Sequence, residues 1–272
     1  MGITTDISWC DSTINPTMGC DGCELYKSGA SDNHCYAAAL HVRYGNKAGW
    51  PQSFDEPMLF AHRLDQAIKW RDLTGTARPD KPWLDGLPRL IFPCDLGDPF
   101  SESLPLDWLA PWLPKLGASP HQWLFLTKRP SRALEFWRAH PAPTNIWQGA
   151  SVTSLATLKR MEILREVPVR SRFISAEPLL GPLGKINLSG IHQVIVGGES
   201  GPKFRPMEQA WAREVRDNCL NQGTCFYFKQ AAGRRSGTDP WLVESDGSQW
   251  QWHQIPGGLR NAPHVVRSNT AA

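Results

Sequence analysis

The sequence predicts an α/β fold: a (β/α) barrel, complete or short of closure, with a small C-terminal appendage. Three observations carry this. Short apolar runs recur along the chain and end in polar residues. Amphipathic stretches with three-to-four spacing lie between them. The last forty residues change character, becoming rich in Gly, Trp, Ser and Asn. Continuous apolar runs of this length suit strands buried on both faces of a parallel sheet.

In chain order, a first short strand is expected near Ile7-Ser8-Trp9. The clear runs are Leu90 to Asp95, Trp123 to Lys128, Ile146 to Val152, Arg172 to Pro178, Val194 to Glu199 and Cys225 to Gln230. Helices are expected over Phe60–Leu73, Leu155–Val167 and Glu208–Gln222, each with one apolar stripe for packing on the sheet. Strand–helix alternation implies right-handed βαβ units, about seven here. The sequential alternative is a doubly wound open sheet; either architecture puts function at the C-terminal ends of the strands. Residues 1–233 form the expected barrel domain. Residues 234–272 form the appendage, with a hairpin around Trp241–Trp252, a turn at Ser245-Asp246-Gly247-Ser248 and a frayed tail.

The bulk properties narrow the class. The chain has 272 residues, 41% hydrophobic, with a net charge of +3. That length builds a core without disulfide staples. The weak positive balance neither demands nor excludes a nucleic-acid partner. No apolar run reaches the length of a membrane span, and the N-terminus lacks a signal-peptide pattern. The expectation is a cytoplasmic protein with reduced cysteines. Its seven cysteines, an odd number, fit a disulfide framework poorly.

Three of those cysteines carry the strongest chemical signal. Cys20 and Cys23 form a C-x-x-C pair in a polar loop, and Cys35 follows just ahead of the helix former Ala37-Ala38-Ala39-Leu40. Three thiolates gathered this way suit a [4Fe–4S] cluster with one iron left open. A zinc staple completed by His34 or Cys10 is the second reading, and simple burial the third. The strand ends supply a second constellation: Asp95, Thr127, Lys128, Glu177, Glu199, Ser200, Lys229 and Gln230. In a barrel these converge on one mouth, where acids that close apolar strands do chemistry. Gly197 and Gly198 suit close approach of a ligand to the backbone. Arg205 suits a carboxylate or phosphate.

Several blocks together resemble a known group. They are Ser8-Trp9 with Asn15-Pro16, Gly19-Cys20 and Cys35-Tyr36-Ala37, then Leu126 to Arg129, Ser175 to Pro182, Val194 to Gly201, Arg205-Pro206-Met207 and Phe228-Lys229-Gln230. In this order, from about Ile7 to Gln230, they resemble the phage-associated three-cysteine-motif protein family, a radical-SAM-like group. The familiar radical-SAM spacing C-x-x-x-C-x-x-C is absent. The resemblance implies a β/α barrel with Cys20, Cys23 and Cys35 on a [4Fe–4S] cluster and S-adenosylmethionine (SAM) on the open iron. Gly197, Gly198, Glu199, Ser200 and Arg205 would then hold the cofactor, with Glu177, Glu199 and Lys128 as catalytic candidates. Asp95, Thr127, Lys229 and Gln230 would face a substrate, by analogy a nucleic acid or nucleotide, and a reductase would donate electrons. Two other functions remain open: a zinc-stabilised nucleic-acid-binding module without catalysis, and a barrel hydrolase pairing Glu177 with Glu199.

Overall fold

The computed structural model describes residues 2–237, 239–256 and 264–268. The chain opens with β1 (Ser12–Ile14), then β2 (Thr17–Met18), α1 (Tyr36–Tyr44), β3 (Met58–Leu59) and α2 (Arg63–Ile68). Next come β4 (Leu90–Pro93), a 3₁₀ segment (Leu106–Trp112) running into α3 (Leu113–Ala118), β5 (Gln122–Thr127) and α4 (Pro130–Ala139). They are followed by β6 (Ile146–Ser151), α5 (Lys159–Glu166), β7 (Ser171–Ala176), β8 (Gln193–Gly197), α6 (Gln209–Gln222) and β9 (Cys225–Gln230). The chain finishes with β10 (Leu242–Val243), β11 (Gln249–His253) and β12 (His264–Arg267).

One sheet organises all of this. Its order is β1-β4-β5-β6-β7-β8-β9-β11-β10, with β12 on β11. Along β1-β4-β5-β6-β7-β8-β9 the strands pair in parallel, β11 joins β9 antiparallel through His253 and Tyr227, and β2 and β3 form a separate antiparallel pair. No pairing closes the sheet among the described residues. The hairpin expected in the C-terminal segment is present as β10 and β11, and it extends the main sheet. The expected tail falls mostly on residues 257–263 and 269–272, outside the described residues.

Alternation along the strands gives the sheet two different faces. Ile91, Phe125, Ile146, Ile174, Val194 and Phe226 share a core with α2 to α6. Their neighbours Phe92, Leu124, Trp147, Phe173, Ile195 and Tyr227 share the other core with Trp9, Leu84 and Leu87. All the sheet-packing helices therefore lie on one side, and the doubly wound alternative is not what forms. Opposite them the sheet curls over aromatic side chains. The Trp9 ring is 4.8 Å from Phe92 on β4 and 6.3 Å from Phe173 on β7. Trp83 lies 3.9 Å from His253 of β11.

The first strand lies at Ser12–Ile14, not near Ile7–Trp9. Trp9 is apolar because it fills the concave face, not because it is paired in the sheet. The helix expected over Phe60–Leu73 shortens to α2, and the Leu155–Val167 helix starts as a 3₁₀ turn capped by Ser154. The β7–β8 connection has no helix. Residues 184–188 instead bond to α6: Glu214 accepts from the Gly184 N–H, Asn218 from Ile186 and Gln222 from Leu188. The Asn218 and Gln222 amides donate back to the Gly184 and Ile186 carbonyls.

Gly149 shows how tightly the concave face is packed. A Cβ there would meet the Phe173 ring at 2.3 Å, and Phe173 is fully buried. Gly149→Ala is expected to lower the unfolding free energy by about 1–3 kcal/mol through overpacking. Urea denaturation checks this, and Phe173→Leu in the same chain is expected to recover part of the loss.

Candidate functional site

The cysteine loop roofs the C-terminal end of the parallel sheet, and charged side chains bind it there. Asp98, just beyond β4, is buried. One of its oxygens accepts from Thr127 Oγ1 (2.6 Å) and the Phe100 N–H, the other from the Lys128 N–H and Arg129 Nη1. Arg129 reaches on into the loop, donating to the Gly22 carbonyl at 3.0 Å and lying 3.4 Å from Asp21. Asp21 in turn accepts from Ser101, Ser103 and the Glu102 N–H. On the other side Glu24 accepts from Arg160 at 2.8 Å and from Thr153, with Lys128 3.6 Å away. Burial works against ionisation of Glu24, but Arg160 and Lys128 outweigh it and bring its pKa to about 2.

The three thiols sit around one apolar nest of Met18, Tyr26, Ala37, Ala38, Phe54 and Leu96. Backbone N–H groups point at the sulfurs of Cys20 and Cys23, from Gly22 and Leu25 at 3.4 Å each. Cys35 occupies the N-cap of α1, where burial raises its pKa and the Ala37 and Ala38 N–H groups offset only part of that rise. The Cys20 thiol hydrogen-bonds Cys23, and that bond, with the nearby Lys128 charge, lowers Cys23 to about 6 despite burial. Cys20, the donor of the pair, is pushed up. Gly19 and Gly22 adopt positive φ (94° and 101°), and at Gly19 a Cβ would meet Phe54 O and Pro57 Cα at 3.0 Å. Only glycine turns the loop this sharply against its neighbours.

The strand-end residues divide into two sets. Thr127 and Gln230 are used internally: Thr127 holds Asp98, and Gln230 bonds Gly198 O, Ser236 and the Gly237 N–H. Glu199 is buried and clamped by Arg205 through Nη2 (2.6 Å), Nε (3.0 Å) and the backbone N–H (2.8 Å), with His34 Nδ1 at 3.3 Å. Burial raises its pKa, but the Arg205 bonds prevail and hold it below the usual carboxylate range. At the two glycines the chain itself comes close. A Cβ on Gly198 would meet Ala232 N at 2.2 Å, and one on Gly197 would meet Glu177 Oε1 at 2.8 Å. Ser200 bridges to Gly233.

The second set faces the mouth. Glu177 Oε1 lies 2.9 Å from Lys229 Nζ, an ion pair not aligned as a hydrogen bond, and Oε2 accepts from Ser175. Asp95 accepts from Asn15 Nδ2 at 2.6 Å, and its carbonyl accepts from the Tyr36 hydroxyl. The Tyr36 ring is half-exposed while its hydroxyl reaches inward among Asp95, Glu177 and Cys35, and burial raises its pKa well above the ordinary value. Burial likewise lifts Asp95 to about 6, against the Asn15 hydrogen bond. Lys128 completes the set beside Glu24. The tethers Asp21, Glu24 and Arg160 were not singled out from sequence; nothing in their spacing links them, although Asp21 and Glu24 directly follow two of the cysteines.

The fold and this mouth define an α/β protein whose singly wound parallel sheet carries a cysteine loop across its strand ends. The chain belongs to the family described as "Protein of unknown function (DUF5131)", whose model matches residues 4–256. No curated protein and no solved structure matches it. No helix among the described residues is long and apolar enough to cross a membrane.

Asp95 makes stability depend on pH. Its folded pKa of about 6 exceeds the ordinary 3.8, so the folded state binds the extra proton between these values. The Asp95 contribution is fully present below about pH 4 and is lost as pH rises through 6. Asp95→Asn is expected to abolish that loss and to stabilise the protein near pH 8 by roughly 1–3 kcal/mol. Chemical denaturation of both proteins at pH 4.5 and 8 measures the difference.

Proposed function

We propose that the protein is an iron–sulfur enzyme of radical-SAM type, on an incomplete (β/α) barrel. The observation that carries this reading is the single nest shared by Cys20, Cys23 and Cys35, with backbone N–H groups directed at their sulfurs. Hydrogen bonds to thiolate sulfur are a means by which proteins hold and tune such clusters. Among the described residues, no group of three or more His, Cys, Asp or Glu is placed to hold a single metal ion. Sequential strands with every sheet-packing helix on one side, and aromatic contacts across the concave face, support the barrel.

When bound, the cluster and SAM supply reductive cleavage and a radical that abstracts hydrogen. The protein's own groups do the positioning. Arg129 and Glu24 hold the cysteine loop over the strand ends. Glu199, fixed by Arg205, presents a carboxylate beside His34 and Cys35, where a cationic amino group of SAM would be met. Glu177, Lys229, Asp95 and Lys128 offer charges of both signs to a substrate, and the Tyr36 hydroxyl bonds the Asp95 carbonyl. Under this reading a reductase delivers the electron. The hydrolase alternative draws less support, because it gives the cysteine loop no role.

Anaerobic purification with iron, sulfide and zinc analysis tests the reading. About four iron and four sulfide per chain are expected, as for a cubane. Cys23→Ala is expected to lose most of both, and the wild type to release 5′-deoxyadenosine from SAM. One zinc with no iron, or a colourless protein after reconstitution, overturns the reading.

A further inference from the structure

Two acid-free, basic stretches flank the cysteine loop. Residues 36–50 contain Arg43 and Lys47 and no Asp or Glu. Residues 200–207 and 231–237 contain Lys203, Arg205, Arg234 and Arg235 and again no acid. The second pair of segments is one structure: Gly201 N–H donates to Gly233 O, and Gly233 N–H to Glu199 O. His34, beside Cys35, meets Glu199 at the foot of this rim, which ties the segment leading into α1 to the start of the second stretch. Arg43, Lys47, Lys203 and Arg234 are exposed, and among the described residues no carboxylate pairs with them.

The first stretch also presents aromatic rings. Arg43 lies 5.1 Å and Lys47 4.8 Å from the Tyr44 ring centroid, with Trp50 at 6.2 Å. Trp50 packs into the nest that holds the three cysteines. Tyr36, at the other end of α1, is 49% exposed and touches the mouth through Asp95. Cations that track phosphates, interleaved with rings that stack bases, are the means by which proteins bind single strands. A duplex hides its base faces from such rings.

We infer that this basic–aromatic rim binds single-stranded nucleic acid and leads one nucleotide over Tyr36 to the mouth. Arg43 and Lys47 on one flank, and Lys203 and Arg234 on the other, contact phosphates. Tyr44 and Tyr36 stack on bases. The binding surface stands on its own geometry; only the view that the delivered nucleotide is the substrate rests on the reading proposed above.

Fluorescence anisotropy with the full chain and a labelled 20-nucleotide mixed-sequence single strand, from 50 to 300 mM salt, tests this. Affinity is expected to fall steeply with salt, by about 0.7 log units per log unit of salt for each phosphate contact. Arg43→Glu with Lys47→Glu is expected to weaken binding at least tenfold and flatten the slope by about 1.4, and Lys203→Ala with Arg234→Ala to act in the same direction. Tyr44→Ala is expected to weaken binding roughly tenfold with the slope unchanged. Circular dichroism melting confirms that the variants fold, and Lys185→Ala, away from the rim, is expected to bind as wild type. No binding, a salt-independent affinity, tighter binding of the matching duplex, or folded rim variants that bind as wild type would each overturn the inference. Iron analysis on the same preparations separates the two readings: salt-dependent binding without iron sinks the cluster and leaves the rim.

Discussion

The mouth of this protein depends on one buried carboxylate. Asp98 receives the Thr127 hydroxyl, the Phe100 and Lys128 backbone N–H groups and the Arg129 guanidinium. Through Arg129 it fixes Gly22 and Asp21, and so the position of the C-x-x-C turn above β5. A buried ion is tolerable only when its lone pairs are satisfied, and here four donors meet two oxygens. The cysteine loop also has an apolar nest, with Leu40, Trp50 and Phe60 packed against its buried residues. Charge and burial together place the loop, whereas the sheet beneath is placed by burial.

That contrast explains what the sequence revealed. Runs such as Val194–Val196 and Phe226–Phe228 are apolar on both faces because helices cover one side and aromatics the other. They therefore announced themselves as strands. Cys20, Cys23 and Cys35 were legible as a group because thiols in a polar loop are unusual, and the loop does sit over the strand ends. The short β2 and β3 pair carries no such pattern, since two residues per strand establish no period. Trp9 misled because an apolar residue beside a strand looks like one within it.

The charged residues were legible by place and not by use. Asp95 meets Asn15, Glu177 meets Lys229 and Lys128 meets Glu24, all at or just beyond strand ends. Thr127, Gln230, Gly197 and Gly198 occupy equivalent positions but serve the chain's own packing. The difference lies in partners contributed by distant segments, such as Ala232 against Gly198, and spacing along one strand carries no record of them.

The ladder between α6 and residues 184–188 has a geometric consequence. Glu214, Asn218 and Gln222 follow one another about 6.0 Å apart along the helix axis, and they meet every second residue of a segment that opens at Gly184 with positive φ. Because the rungs read backbone groups, they fix the segment's length, while burial of Ile186 and Leu188 in the helix-side core fixes which side chains it can carry.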